Sequence, residues 1–301
     1  MRTNLRIAVG TYTGSGVART ISGLGFTPGL ILIKGVSQHP VFKIRQFSGD
    51  KTAYFNTNVA HLTNGITGFT SDGFTLGTDV TVNNNTTAYY WIAVAGDDTQ
   101  NVFRTGRYQG NGVDDRNMNF IGVNFTPDLV SIKGDTTQSG CMRSLQVGDS
   151  SGTWDGTMTT NMIQSLIANG FQLGTSTKVN SNGVKYWFLA LKNLAGVIKT
   201  GSYVGDGNDG HAITGIGFTP DVILTKDITG NSTAALKTSS MSGNNSFPVS
   251  NGGANTTSVK TLDADGFTLG TNSYANANGS TYVYLALKAG SFIAPVSRNS
   301  V

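Results

Sequence analysis

Glutamate is absent from this chain, and histidine and cysteine nearly so: there are three histidines and one cysteine, Cys141, in 301 residues. Without glutamate, all 17 acidic side chains are aspartates, and no good carboxylate pair presents itself for glycosidase-type acid–base work. A single cysteine excludes an intrachain disulfide and a cysteine-based zinc site, and it fits a chain made in a reducing cytoplasm. His39, His61 and His211 occupy unrelated positions along the chain and offer no paired ligand set, so no metal and no cofactor is expected. Charge is also scarce, at 13% of residues with a net of +4. There is no Lys/Arg cluster and no basic stripe with interleaved aromatics, which argues against nucleic acid as a partner. No apolar run approaches the roughly 18 residues of a membrane-spanning helix, and the opening MRTNLRIAVG lacks the apolar core of a secretory signal. Neither membrane insertion nor secretion is expected.

What the chain does have is glycine, 40 residues of it, with abundant threonine, serine and asparagine. Turn and strand formers therefore dominate, an all-β composition. Internal repetition then decides the organisation. The stretch Phe125-Thr126-Pro127-Asp128-Leu129-Val130-Ser131-Ile132-Lys133 has two further copies, beginning at Phe26 and Phe218 and ending at Lys34 and Lys226. A Gly-Phe-x-Leu-Gly-Thr block has its phenylalanine at Phe74, Phe171 and Phe267, and a tyrosine-led block starts at Tyr89, Tyr186 and Tyr282. The pattern G-x-Y-x-G-x-G starts at Gly10, Gly106 and Gly201. Four blocks in one order, three times, predict three tandem antiparallel β-sandwich domains of jelly-roll-like form, at residues 1–96, 97–193 and 194–301. The last includes a tail from Ser291 onward that lies outside the repeat and reads as a loose end or a docking arm. Short linkers predict that the three units pack as one body.

Within a unit, proline sets its own φ and pushes the preceding residue to extended geometry. The apolar run behind it reads as a central strand buried on both sides. Asp72-Gly73, Asn169-Gly170 and Asp265-Gly266 read as type I′ hairpin turns, as do Asn182-Gly183 and Asn278-Gly279. The first copy has Asn85-Thr86 at the second turn. Threonine takes positive φ only at a cost, which predicts a longer loop or another turn type there. Residues 157–168 have helical spacing, but the matching stretches are poor helix formers, so strand is expected across the repeats, with a local helix in the second copy as the alternative.

Few residues point to chemistry. Gly148-Asp149-Ser150-Ser151-Gly152 resembles a serine-protease nucleophile segment but reads better as a turn, since no triad accompanies it. Asp206-Gly207-Asn208-Asp209-Gly210 resembles a calcium loop whose alternation of oxygen ligands breaks at its third member. Lys34, Lys133 and Lys226 recur with the fold. They either snorkel from the end of a buried strand or face a partner or an anionic ligand. Asp128 and Asp221 recur too, where Gly29 stands in the first copy, and are expected to cap the proline corner. Trp91 and Trp187 lie in strand blocks and read as core. Trp154, between Gly152 and Gly156 in the variable region after the central strand, is the leading candidate for an exposed binding contact.

Residues 122–133, 265–271 and 178–192 together resemble a β-sandwich repeat common in virion proteins of tailed bacteriophages. The resemblance covers nearly the whole chain, three times over. The family form carries an aromatic near the end of the central strand, where this chain has Leu32, Ser131 and Leu224. The resemblance implies a non-enzymatic virion component made in the bacterial host cytoplasm. A capsid decoration or cement protein is the first expectation, and a tail or tail-fibre adhesin for a host receptor or glycan is the alternative. It implies other virion proteins as partners, the major capsid protein or tail proteins, with a host-surface glycan under the alternative, and it carries over no catalytic residue.

Overall fold

The computed structural model describes residues 5–57, 59, 61–96 and 101–292. They form an all-β protein of six sheets, three large and three of three strands, with antiparallel pairing. Each sequence repeat supplies one large and one small sheet. In each large sheet the opening strand (Leu5–Thr13, Phe103–Gln109, Ile198–Val204) lies beside the closing strand (Ala88–Ala95, Lys185–Leu191, Thr281–Leu287). The proline-entered strand (Leu30–Gly35, Leu129–Gly134, Val222–Asp227) follows in the middle, as its apolar run predicts. A hairpin strand completes the shared order: Val41–Ile44, Cys141–Ser144 or Ala235–Thr238. The small sheets centre on Gly73–Leu76, Gly170–Leu173 and Gly266–Leu269. Residues 157–168 hold the strands Met158–Thr159 and Ile163–Ile167 rather than a helix. Among the described residues no helix is long and apolar enough to cross a membrane.

Because side chains alternate along a strand, the apolar run divides between two cores. Ile31, Ile33, Tyr89 and Ala93 join Phe74 and Leu76 of the small sheet in one cluster. Val130, Ile132, Tyr186 and Phe188 do the same with Phe171, and Ile223, Tyr282 and Tyr284 with Phe267. The opposite faces, carrying Leu30, Ile92, Leu129, Leu191, Val222 and Leu285, belong to a single cluster drawn from all three repeats. Burial on both faces thus has two distinct causes: an intra-repeat core, and a core the repeats share.

The contacts between repeats form a closed cycle. The Gln46 side-chain amide donates to the Thr105 carbonyl (3.0 Å), Gln146 to the Thr200 carbonyl (3.3 Å), and the Ser240 hydroxyl to the Gly10 carbonyl (3.2 Å). The exit from the third repeat closes the same cycle. Leu194, the first residue of that repeat, makes only a local bridge to Ile198. Gly290–Phe292, leaving the third, pairs with Leu5 to Ile7 of the first, with Gly290 opposite Ile7. The start of the expected tail is therefore a strand, while residues 293–301 lie outside those described, as do 97–100 of the first linker. Asp128 and Asp221 cap the exits from the second and third repeats, accepting from the Asn193 and Ala289 amides, rather than capping the proline corner.

Two turn expectations need correction. Gly73, Gly170 and Gly266 do not have positive φ. A Cβ on each would stand 1.9 to 2.0 Å from the carbonyl oxygen of Ile21, Met118 or Ile213, so glycine is required by the approach of the neighbouring strand. Asp72 and Asp265 receive the amides of Gly23 and Gly25 and of Gly215 and Gly217, and those bonds hold the Asp72 carboxyl below its usual range. At the second turn Gly183 (φ 78°) and Gly279 (φ 77°) take the left-handed conformation while the preceding asparagines do not, so the turn is not type I′. The first copy keeps the same turn with the same Thr87-to-Asn84 bond, and Thr86 itself takes φ 63°. Neighbouring backbone, including the Gly14 carbonyl that accepts the Thr86 amide, fixes the loop in all three copies and forces threonine into a costly region.

Candidate functional site

The four residues singled out in the sequence lie at the junctions between repeats, and none is a surface group. Trp154 is 2% exposed, so its expected role as an exposed contact is overturned. Its segment is a hairpin that turns inward: the indole lies 4.9 Å from the Phe55 ring of the first repeat, and its N–H donates to the Ser131 hydroxyl at 3.0 Å. Its carbonyl accepts the Ala234 amide of the third repeat. The corresponding residues Phe55 and Val249 make the same local bond to the hairpin start, Phe55 to Pro40 and Val249 to Ala234. The Val249 carbonyl in turn accepts from the Asn56 side chain. The variable region is thus where the repeats meet one another, which gives a physical reason for its sequence to differ between copies.

Lys34, Lys133 and Lys226 are 0%, 2% and 0% exposed, which corrects their reading as surface candidates. The strand's alternation points them to the shared side, where the ammonium groups end on backbone carbonyls. Lys34 donates to Gly35, Gln38 and, across a junction, Gly252 at 3.0 Å, and lies 5.3 Å from the Phe247 ring. Lys133 donates to Thr136 and Gln138, and Lys226 to Ser232 at 2.7 Å. Each ties down the loop leaving its own strand. Burial pulls Lys34 down to about 7 and Lys133 and Lys226 to about 8, the last two held up in part by neighbouring aspartates. Amines with such values are good nucleophiles in an open site, but these are sealed.

One titratable cluster was not legible in the sequence. His61 of the first repeat faces Asp135 of the second (2.8 Å), which also pairs with Lys51 (2.9 Å), while Trp187 packs against the imidazole at 4.8 Å. Burial and the Lys51 charge bring His61 down to about 4 despite Asp135, so the ring is neutral near pH 7. Burial works against the Asp135 carboxylate, but hydrogen bonds and charge from Lys51 and His61 outweigh it and hold its pKa low. His61 and Asp135 are 74 positions apart, and only the packing of two repeats joins them.

The remaining sequence candidates are occupied structurally. The Ser151 hydroxyl is fully buried and accepts the Ile163 amide. Asp206 accepts from Asn208 and Asn276 and lies 3.3 Å from His211, while Asp209 pairs with Lys260 at 2.7 Å. Among the described residues no group of three or more such side chains is placed to hold a metal ion. A repeated device that sequence reading missed involves Asn83, Asn180 and Asn276, all fully buried, whose amides donate to the Gly77, Gly174 and Gly270 carbonyls. Stacked tyrosines support the one-turn helices that carry these asparagines: Tyr12 on Tyr89, Tyr108 on Tyr186 and Tyr203 on Tyr282, at 5.1 to 5.3 Å. The signal was present in the repeated asparagine, but a buried amide is indistinguishable from a turn residue without its partners.

A family model described as a domain of unknown function, DUF7483, matches residues 7–97 and 195–299. The chain belongs to the DUF7483 family. The two matched spans of this DUF7483 chain are its first and third sequence repeats, and the four shared blocks give the second repeat the same sheet order. Comparisons with curated proteins and with solved structures returned no match.

Proposed function

We propose that this DUF7483 chain is a non-enzymatic virion structural protein of a tailed bacteriophage, and specifically a capsid decoration or cement protein. In this reading residues 1–96, 97–193 and 194–301 are three β-sandwich domains of jelly-roll-like form, packed as one body around a pseudo-threefold axis. The observation that carries it is the closed cycle of inter-repeat contacts, in which the strand Gly290–Phe292 returns to the first repeat. Such a body suits a threefold or quasi-threefold point of a capsid lattice, where its partner is the major capsid protein. Sequence resemblance to virion β-sandwich repeats supports the same reading. Buried lysines sealed on carbonyls and a tryptophan spent on the junction fit a scaffold better than a reactive cleft. The tail-adhesin alternative loses its leading residue, because Trp154 is buried in the shared core. Cryo-electron microscopy of the intact particle tests the proposal: density for this chain at threefold positions of the shell is expected, and density only at the tail tip refutes it.

A further inference from the structure

The shared core is not fully closed. Between the three axial faces lies a cavity of about 80 Å³ whose walls include Leu32, Phe42, Leu189, Leu224, Trp154 and Ser131. Leu32, Ser131 and Leu224 occupy the same place in the three proline-entered strands, so the second repeat contributes a hydroxymethyl where the others contribute isobutyl groups. That missing volume accommodates the Trp154 indole on one side and leaves space on the other. Of the polar side chains on the wall, the Trp187 indole N–H has no partner, while Ser131 and Lys133 are engaged. The Ser131 hydroxyl accepts from the Trp154 indole (3.0 Å) and donates to the Cys141 carbonyl (3.2 Å), and Lys133 ends on Thr136 and Gln138. A buried water requires roughly 10–15 Å³ and two to four polar partners, whereas an apolar cavity of about 150 Å³ stays dry and takes up benzene or xenon. This cavity has the room for water, but the one unpartnered side-chain donor on its wall, the Trp187 indole, falls short of the two to four partners a water needs.

We infer that the centre of the shared core is a binding site for one small apolar molecule, of noble-gas or short-hydrocarbon size, set between the three repeats. Binding there fills the gap that three twisted sheets leave when they face a common axis, and it ties the repeats together through dispersion contacts with leucines of all three. Xenon is the probe. Crystals of the full chain under xenon pressure are expected to show a single buried xenon in contact with Leu32, Leu189 and Leu224. In solution, xenon is expected to quench the fluorescence of Trp154 and Trp187, which both line the space. Leu224→Phe and, separately, Leu189→Phe place a ring into the cavity, and each folded variant is expected to lose the central xenon. An empty centre in pressurised crystals of the unsubstituted protein overturns the inference, as does ordered water filling it or xenon retained there in both variants.

Discussion

The pair Ser131 and Trp154 offers a double-mutant test of how the repeats are joined. In the first repeat the same two places hold Leu32 and Phe55, so the substitutions Ser131→Leu and Trp154→Phe together write the first repeat's solution into the second. Trp154→Phe keeps a ring against Phe55 but removes the indole N–H bonded to Ser131, a loss of about 1 kcal/mol for the bond and of similar order for the smaller ring. Ser131→Leu alone strands that buried N–H, which costs about 1–3 kcal/mol, against which the added apolar atoms gain burial in the adjoining cavity. When residue 154 is phenylalanine there is no N–H to strand, and only the burial gain remains. The double variant should therefore be more stable than the sum of the singles predicts, by about 1–3 kcal/mol of coupling. Trp154→Ala sets the scale: removal of the whole side chain from a site with Phe55 on one face should cost about 3–5 kcal/mol. Urea unfolding followed by far-ultraviolet circular dichroism and by tryptophan fluorescence measures all four. The shared cluster further predicts that both probes report one transition. Additive effects within about 0.5 kcal/mol would refute the coupling, and wild-type stability in Trp154→Ala would refute the placement of Trp154 in a common core.

Thr86→Gly should stabilise the protein by about 0.5–1 kcal/mol, because it relieves a β-branched residue at φ 63° and restores the glycine of the other two copies; thermal unfolding reads the gain. The two kinds of glycine should separate in the same assay. Gly183→Ala, at φ 78° with open space around it, should cost about 1–2 kcal/mol, while Gly73→Ala, whose Cβ would meet the Ile21 carbonyl at 1.9 Å, should cost more and broaden the Ile21 and Phe74 amide signals in NMR spectra. Stability should also depend on pH in a defined way. Lys34 is lowered to about 7, and Lys43, Lys133, Lys226 and Lys237 to about 8, so from there up to the unfolded value near 10.5 the unfolded chain holds protons the folded chain has released. Unfolding free energy should then rise with pH, by up to about 1.4 kcal/mol per pH unit for each such proton, and Lys34→Met should flatten the rise. Above pH 10 the sign reverses, because burial raises Tyr12, Tyr108 and Tyr203 and the unfolded chain ionises first. Below about 6.5 stability should fall toward pH 4 as unfolded His61 takes up a proton that the folded ring refuses. A flat urea midpoint from pH 7 to 10 would contradict the buried lysines.

Much of the architecture was legible in residue order. Alternation and proline chemistry act over a few residues, so the central strands at Leu30–Gly35, Leu129–Gly134 and Val222–Asp227 follow from sequence alone, and so does the threefold repetition. The glycines at 73, 170 and 266 were marked as special, but their reason, a carbonyl from a strand some 50 residues away, was not. The candidate site fared worse for the same cause. Lys34, Lys133, Lys226 and Trp154 were recognisable as residues out of keeping with their surroundings, yet a lysine after an apolar run has the same local sequence whether it reaches solvent or a buried carbonyl. Three copies of one strand pattern follow from residue order alone, because hydrophobic period and turn chemistry are local. That the second apolar face of each pattern meets the other two repeats emerges only from the packed fold, since burial depends on which surfaces come together rather than on neighbours in the chain.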